Sequence, residues 1–400
     1  MPAVSHHSTS LFFQTPLNEA EIELWAKAQK DDLRGPATFG LLFCSPECAD
    51  QARSIIEIIR IYAQVPVMIG CCAHGFIAGS REFEEEPGCA VALYHLPNTI
   101  AHARHLPTAC FNSNNRPAAF RGKLGAPAET ANAWLLFASA DSIGHEAWLP
   151  DWDQAIHQKT TIGGFASVDP RLSEPSLFLN DAAFEEGAVA LGLEGGTTIE
   201  PVLSQGCRPV GSPWTITKAH RNIIHQIGNR PVLEVLRDTL EGMSLREQQQ
   251  ARGNIFIGLV LDEYKPSFGP GDFLVRNLAA IDPKSGAVAI ATPLRVGQNL
   301  QFQIRDARSA SADLEEILRI RADQLRSRRI YGACLCDCIG RGLSLYGVPD
   351  HDVSTIDRFF PGLPVGGLFC NGEFGPANNR TLLHGYAASL ALFVDCPEPH

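Results

Sequence analysis

Runs of apolar residues separated by turn-forming positions predict alternating strands and helices along this 400-residue chain. Residues 38–43 form one apolar run, and apolar positions then recur at helical spacing until the run at 66–72. This order predicts a strand–helix–strand unit, in which two parallel strands are joined by a right-handed crossover. A second unit of the same kind is predicted from strands at 134–139 and 162–166, around a short helix at 151–157.

The second half of the chain continues this alternation after a turn-rich segment at 205–211. Strands are predicted at 254–261, 273–281, 287–291, 330–337 and 365–369, and helices at 231–241, 313–328 and 352–360. The strands at 273–281 and 287–291 should form a hairpin. The predicted fold class is therefore α/β, in the mixed α+β sense. Two similar duplicated domains are expected, each a mixed sheet with flanking helices.

One sequence plan occurs three times, and it supports the duplication. An apolar run ends in glycine and is followed by an aliphatic strand that a glycine opens. The copies are 65–77 with 88–93, 161–166 with 187–191, and 363–376 with 385–392. Repetition of this length implies equivalent strands, so functional residues are sought at equivalent strand ends.

Composition and charge exclude several classes of function. The formal net charge of -11 argues against nucleic-acid binding, which needs a basic face. A local set of arginines is interpreted as the solvated face of the predicted helix: Arg319, Arg321, Arg326, Arg328 and Arg329. No signal-peptide pattern and no apolar run of about 18 residues is present. We therefore expect a cytoplasmic protein without membrane contact, whose 12 cysteines are reduced.

The ordered motifs of the chain resemble those of the FIST proteins, named for F-box and intracellular signal transduction. They are Leu42-Phe43-Cys44-Ser45-Pro46, the segment 69–84, the segment 206–211, Cys338-Ile339-Gly340-Arg341-Gly342, the segment 369–376 and the segment 384–390. The resemblance covers about residues 35–395. It implies an N-terminal arm and helix at 1–34, a FIST N-like domain at 35–211 and a FIST C-like domain at 212–400. It also implies binding of small ligands, such as amino acids or related metabolites, for signalling. A small neutral residue is expected where Asp337 stands.

The strand end at Arg341 is the first candidate site. Gly340 and Gly342 allow a tight turn that brings the guanidinium close to whatever lies there. A guanidinium in this position can hold a carboxylate or phosphate through paired hydrogen bonds. The alternative is an internal ion pair with Asp337 or Glu373.

The loop after the next strand should face the same space, because ligands of open α/β sheets bind beyond the carboxyl ends of strands. Glu373 offers a carboxylate for an ammonium group, so a zwitterionic amino acid would suit it together with Arg341. The alternative is that Glu373 accepts hydrogen bonds from backbone amides of its own loop. The predicted ligand-binding residues are Arg341, Glu373, Cys338, Asn371, Gly372, Cys370 and Gly340, with Cys71, Gly75 and Glu82 as secondary candidates in the first copy. Because Glu82 lies in a run of acidic residues, we interpret that run as a solvated loop.

The cysteines give little support to a metal site. Cys334, Cys336 and Cys338 alternate along a predicted strand, so their sulfur atoms are spaced too widely to converge on one zinc ion. No metal and no cofactor is expected, and most thiols should be buried as small apolar groups. Cys338 and Cys370 are the exceptions, since a nearby guanidinium favours a thiolate.

The sequence thus predicts a cytoplasmic, small-ligand-binding sensory protein with a signalling protein as its partner. Two alternatives stay open. One is an enzyme that acts on a small acidic metabolite through Cys338 or Cys370, although a non-catalytic role is favoured. The other is an interaction scaffold that binds no ligand.

Overall fold

A computed structural model describes residues 6–144, 146–167, 176–269 and 271–397. These residues divide into two compact units. The first contains residues 1–203, 317–383 and 387–400, and the second contains residues 204–316 and 384–386. None of the described helices is long and apolar enough to cross a membrane.

The first unit is built from three repeats of one strand order. The first repeat has β1 (Ser8–Gln14), α1 (Glu19–Asp32), β2 (Phe39–Cys44), α2 (Ala49–Tyr62), β3 (Met68–Cys72), β4 (Phe76–Gly79), β5 (Arg81–Phe83) and β6 (Gly88–Tyr94). The second has β7 (Thr99–Leu106), α3 (Thr108–Phe111), α4 (Arg116–Leu124), α5 (Pro127–Thr130), β8 (Ala133–Ala138), α6 (Ala140–Ile143), α7 (Leu149–Ala155), β9 (Thr160–Phe165), β10 (Leu177–Leu179), β11 (Ala182–Phe184) and β12 (Ala188–Gly195).

The third repeat is interrupted by the second unit. It opens with β13 (Thr197–Ser204), and the chain then forms the elements of the second unit: β14 (Cys207–His220), β15 (Ile223–Ile227), β16 (Arg230–Pro231), α8 (Val232–Glu241), α9 (Leu245–Ala251), β17 (Ile255–Val260), β18 (Phe273–Asp282), β19 (Ala287–Ile290) and β20 (Asn299–Arg305). After α10 (Ala307–Gln324) the third repeat continues with β21 (Ile330–Cys338), α11 (Gly342–Tyr346), α12 (His351–Phe359), β22 (Val365–Cys370), β23 (Glu373–Ala377), β24 (Arg380–His384) and β25 (Ala388–Asp395).

Each repeat places a parallel strand pair beside an antiparallel closing strand. The parallel pairs are β2–β3, β8–β9 and β21–β22. The closing strands β6, β12 and β25 run antiparallel to the first strand of each pair. The three sequence copies therefore occupy equivalent strands, as the repeated plan predicts. Gly70, Gly163 and Gly367 are equivalent, and a Cβ at any of them would fall 1.7–2.0 Å from a backbone oxygen of the paired strand.

Hairpins exchanged between repeats join the three sheets of this unit. Hairpin β4–β5 leaves the first repeat and pairs with β22, β10–β11 pairs with β3, and β23–β24 pairs with β9. Equivalent backbone hydrogen bonds mark the three junctions, from Cys72 N to Ser176 O (2.8 Å), Phe165 N to Gly372 O (2.9 Å) and Phe369 N to Gly75 O (3.0 Å). The inner faces of the sheets share one apolar core, to which the parallel strands contribute Phe43, Cys71, Phe137, Ile162, Cys336 and Leu368.

The second unit is an antiparallel sheet in the order β14-β20-β17-β18-β19-β15-β16. The long strand β14 also pairs with β15, so six of the strands close into a ring. Helix α8 buries Val232, Val235 and Leu236 in its apolar core. The hairpin predicted at 273–291 is present as β18 and β19.

The mixed α+β class is confirmed, and the bounds of the helix predicted at 313–328 are corrected. The first compact unit contains residues on both sides of the predicted boundary at 211/212, because the third repeat is completed by the C-terminal strands. Helix α10 begins at Ala307 and ends at Gln324, so Arg328 and Arg329 lie beyond it. Arg328 forms an ion pair with Glu200 (2.5 Å) rather than a solvated helix face.

Candidate functional site

The predicted site residues do come together where β21 and β22 end. These strands are parallel and in register, with Cys338 opposite Cys370. Both thiols are buried, and Glu373 follows at the start of β23. Burial raises the pKa of the Cys370 thiol to about 12, so it remains a neutral thiol at physiological pH. The reactive-thiol interpretation therefore gains no support at this position.

Glu373 is enclosed by the protein, with its oxygens facing backbone amides. The residue is 0% exposed, and its two oxygens accept hydrogen bonds from Gly372 N (3.3 Å) and Ala387 N (3.2 Å). The Cys338 thiol is a further hydrogen-bond partner. Burial raises the pKa of Glu373 to about 8, so the carboxyl group is protonated at neutral pH. These are the backbone contacts that the sequence analysis gave as the alternative to ligand binding.

Arg341 is buried in an internal ion pair. Its side chain is 0% exposed, and Nε lies 3.0 Å from Asp337 Oδ1 and 2.7 Å from Asp352 Oδ2. The guanidinium also donates a hydrogen bond to Tyr346 OH (2.6 Å). Burial alone would raise the pKa of Asp352, but Arg341 and a hydrogen bond with His351 outweigh it and hold that pKa low. Burial and then the charge of Asp352 raise the pKa of Asp337.

A third carboxyl group, carried by the exchanged hairpin, contacts the helix that contains Asp352. Glu82 of β5 is 6% exposed, and its Oε1 accepts hydrogen bonds from Asp352 N (2.9 Å) and Val353 N (3.0 Å), at the beginning of α12. Its Oε2 is buried without a hydrogen-bond partner among the described residues. Burial raises the pKa of Glu82 to about 7. The solvated-loop interpretation of this acidic run is therefore wrong for Glu82, which the hairpin carries into the protein.

We call Arg341, Asp337, Asp352 and Glu82 the charge cluster. The cluster contains three carboxyl groups and one guanidinium, so two negative charges would be in excess if every group ionised. The raised pKa values of Asp337 and Glu82 relieve that excess by keeping protons on the cluster. An added anion would have to compete with Asp352, whose carboxylate already balances the charge of Arg341.

The other candidates lie around the same strand ends in structural positions. Cys71 is fully buried in the shared core. A Cβ at Gly75 would lie 2.7 Å from the Phe369 ring, so glycine is needed there for close packing. Asn371 is exposed, and its backbone nitrogen donates to Phe165 O (3.3 Å). Gly340 precedes Arg341 in the turn after β21. Among the described residues, no group of three or more His, Cys, Asp or Glu side chains is arranged to hold a metal ion.

Sequence reasoning missed a cleft at the other end of β21 and β22. It has a volume of about 450 Å³, and we call it the β1–β21 cleft. It is lined by His6, His7, Ser8, Arg34, Arg329, Ile330, Tyr331, Phe359, Phe360, Pro361, Gly362, Leu363 and Pro364. These residues come from four separated segments, so no local motif signals the cleft. No carboxylate is among these described lining residues, although Asp395 Oδ1 accepts a hydrogen bond from the backbone of Arg329 (3.0 Å).

The polar groups of the β1–β21 cleft indicate positive potential. Burial lowers the pKa of His7, the hydrogen bond to the His95 carbonyl opposes this, and the charges of His95, Arg34 and Arg329 lower it further. The His7 ring stacks on His95, with ring centroids 5.4 Å apart, and meets the edge of Tyr331. Among the described residues, His7 Nε2 has no hydrogen-bond partner, and neither has the hydroxyl of Ser8, a residue only 2% exposed. Buried polar atoms that lack a protein partner form hydrogen bonds with a ligand or with ordered water.

Comparison with known proteins places the chain in a family. The model of the FIST N domain matches residues 38–230, and that of the FIST C domain matches residues 233–376. The chain belongs to the FIST family. An uncharacterised protein of Mycobacterium tuberculosis is 34% identical to it over 379 residues, which cover 95% of this chain and 97% of the relative. An uncharacterised protein of Mycobacterium bovis is 33% identical over 378 residues, covering 94% and 96%. An F-box/LRR-repeat protein of Arabidopsis thaliana is 32% identical over 85 residues, covering 20% and 16%.

FIST domains are associated with signal transduction and with a proposed role in small-ligand sensing. The boundary between the two FIST domains, at 230/233, falls inside the second compact unit. Three members of the charge cluster lie in the FIST C domain, and Glu82 comes from the FIST N domain. The FIST N match begins after Arg34, so part of the β1–β21 cleft lies outside both matched ranges.

Proposed function

We propose that this FIST protein is a cytoplasmic sensory protein that binds a small anionic metabolite, such as an amino acid or a related acid, in the β1–β21 cleft. The observation that carries the proposal is the pairing of two arginines and two histidines with no carboxylate among the described lining residues. A signalling protein that responds to the bound state is part of the proposal.

The chemistry of the cleft suits an anion better than the charge cluster does. Arg34 and Arg329 are exposed at the cleft, where a guanidinium can form paired hydrogen bonds with a carboxylate or phosphate. Arg341, in contrast, is enclosed by carboxyl groups and fully buried. We therefore keep the sequence-based expectation of an anionic ligand. Binding at Arg341, which the sequence analysis predicts, is the alternative to binding in the β1–β21 cleft.

The size and the lining of the cleft also suit a small metabolite. A volume of about 450 Å³ lies within the range of roughly 300–1,000 Å³ that is typical of ligand pockets. Tyr331, Phe359 and Phe360 supply an apolar wall, and Arg34 and Arg329 supply polar groups. An amino acid or a related organic acid has groups for both kinds of surface.

The test is calorimetric titration of the purified chain with a panel of amino acids and small organic acids, after native mass spectrometry for co-purifying metabolites. Loss of a charge-assisted contact in Arg329→Ala should weaken binding about 10- to 150-fold. The matched control is Arg326→Ala, since the Arg326 side chain is 81% exposed and pairs only with a surface aspartate among the described residues. Equal affinity of Arg329→Ala and wild type for the ligand would refute binding in the β1–β21 cleft. Loss of binding in Arg341→Met alone would place the ligand at the charge cluster.

A further inference from the structure

The three repeats of the first unit provide an internal comparison between equivalent junctions. Strand β1 packs beside the exchanged hairpin β4–β5, and β7 occupies the same place beside β10–β11. Aligning the strand registers makes Phe12 equivalent to His105 and Phe83 equivalent to Phe184. Differences between the two junctions are therefore differences at matched positions of one architecture.

The junction at β1 is filled by apolar packing. Phe12 stacks on Phe83 with ring centroids 4.1 Å apart and on Phe76 at 5.6 Å. Beside it, the Ser10 hydroxyl donates to Val365 O (2.9 Å) and accepts from Gly79 N (2.7 Å). This junction leaves no polar group of Ser10 for a ligand.

The junction at β7 is open and basic. It contains a groove of about 560 Å³, which we call the β7–β11 groove and whose lining includes Val67, Arg104, His105, Lys123, Leu179 and Phe184. Ala103 takes the place of Ser10, and His105 replaces Phe12 while keeping the stack, at 3.7 Å from the Phe184 ring centroid. Arg104 and Lys123 are exposed at the groove.

Three acidic residues adjacent in sequence to this lining, Asp181, Glu185 and Glu186, are exposed and are not among the lining residues. Glu194 contacts His102 Nε2 at 2.7 Å, and Glu186 presents its backbone carbonyl, not its carboxylate, to His105 Nε2 at 2.8 Å. No carboxylate is among the described lining residues of the groove. The groove lining therefore contains two cations, Arg104 and Lys123, together with the aromatic ring of Phe184, in a chain whose formal net charge is -11.

We propose that the β7–β11 groove binds a small ligand in which a flat aromatic or heteroaromatic ring carries a phosphate or carboxylate group. The ring packs against Phe184, Leu179 and Val67, because aromatic surfaces prefer offset stacking and apolar contact. The anionic group lies at Arg104 and Lys123, which provide charge-assisted hydrogen bonds. This site uses none of the residues of the β1–β21 cleft and goes beyond the function proposed for that cleft.

Phenyl phosphate is a suitable probe because it joins an aromatic ring to a phosphate group. Phenol carries only the ring, and inorganic phosphate is only the anionic group. Calorimetric titration of the full chain should show phenyl phosphate binding at least ~10-fold more tightly than inorganic phosphate, a difference of about 1.4 kcal/mol. Arg104→Ala and Lys123→Ala should each weaken phenyl phosphate binding ~10-fold or more. Phe184→Leu keeps the apolar volume without the ring and should weaken phenyl phosphate binding while leaving phosphate binding unchanged.

Two controls make the result decisive. Arg53→Ala removes an exposed arginine from α2 and should leave binding unchanged. Arg329→Ala reports on the β1–β21 cleft, so that loss of phenyl phosphate binding in this variant, and not in Arg104→Ala, would place the probe in that cleft and overturn the inference. No binding of phenyl phosphate at ~10 mM, or equal affinity in wild type and a folded Arg104→Ala variant, would also overturn it.

Discussion

The buried carboxyl group of Glu373 predicts a pH dependence of stability that a single substitution should remove. Burial raises its folded-state pKa to about 8 from an ordinary value of 4.5. The folded state therefore binds a proton more tightly than the unfolded state. Stability from this group is fully present below pH 4.5 and is lost as the pH rises through 8.

The size of the effect follows from the two pKa values. Glu373 should lower the free energy of unfolding by about 1.4 kcal/mol between pH 7 and pH 9. Glu82, whose folded-state pKa is about 7, should contribute only about 0.4 kcal/mol over the same interval. Most of the effect of Glu82 on the free energy of unfolding falls below pH 7. The interval above pH 7 therefore reports mainly on Glu373.

Urea unfolding at pH 7, 8 and 9 measures this difference in wild type, Glu373→Gln and the control Glu57→Gln, an exposed carboxylate on α2. Fluorescence of the buried tryptophans Trp134, Trp148 and Trp152 reports on the unit that contains Glu373. Glu373→Gln should be less stable at pH 7, since one backbone amide loses its acceptor, but between pH 7 and pH 9 its stability should change only by the ~0.4 kcal/mol that Glu82 contributes. An unchanged slope in Glu373→Gln, equal to that of wild type, would refute the reasoning.

Two further stability predictions concern the charge cluster and the repeat. Arg341→Met leaves two buried aspartates without their cation and should lower the free energy of unfolding by about 3–5 kcal/mol, while the exposed Arg326→Met changes it by less than about 1 kcal/mol in the same urea titration. Gly70→Ala would place a Cβ 1.7 Å from Leu42 O and should cost at least ~3 kcal/mol, while Gly122→Ala, inside α4 with open space around it, should stabilise by up to ~1 kcal/mol. Similar thermal midpoints for the two alanine variants would contradict the close strand contact.

The repeated strands could be predicted from sequence, but their partners could not. Each parallel pair is joined by a short local crossover, so spacing and apolar pattern are sufficient to identify it. The hairpins are different, because each leaves its own repeat and pairs with a strand far away in the chain. Strand β1 was missed for the same reason, since its partner β6 begins about 80 residues later and the segment Ser8–Gln14 is half polar.

The sequence predicts where the candidate-site residues lie, but not which charged groups surround them. Sequence order correctly brings Cys338, Cys370 and Glu373 to one strand end, because adjacent parallel strands share an edge. The aspartates that pair with Arg341 are themselves affected by Glu82, which lies more than 250 residues away and arrives through the exchanged hairpin. A residue's neighbours across such distances have no local signature, so the sequence could identify Arg341 but not the complete set of carboxyl groups in the charge cluster.

The proposed sensing has a structural route through α12 and β21. Phe359, the last residue of α12, lines the β1–β21 cleft, and Asp352, in the first turn of that helix, is paired with Arg341. Nine residues of helix span only about 13 Å. Strand β21 makes the same connection from Tyr331 to Asp337. A ligand that shifts α12 would act on a cluster in which Glu82 has a pKa of about 7 and the pKa of Asp337 is raised by burial and by Asp352, so that a small displacement of Asp352 would redistribute the bound protons. The charge cluster is therefore better suited to respond to a ligand in the cleft than to bind the anion itself.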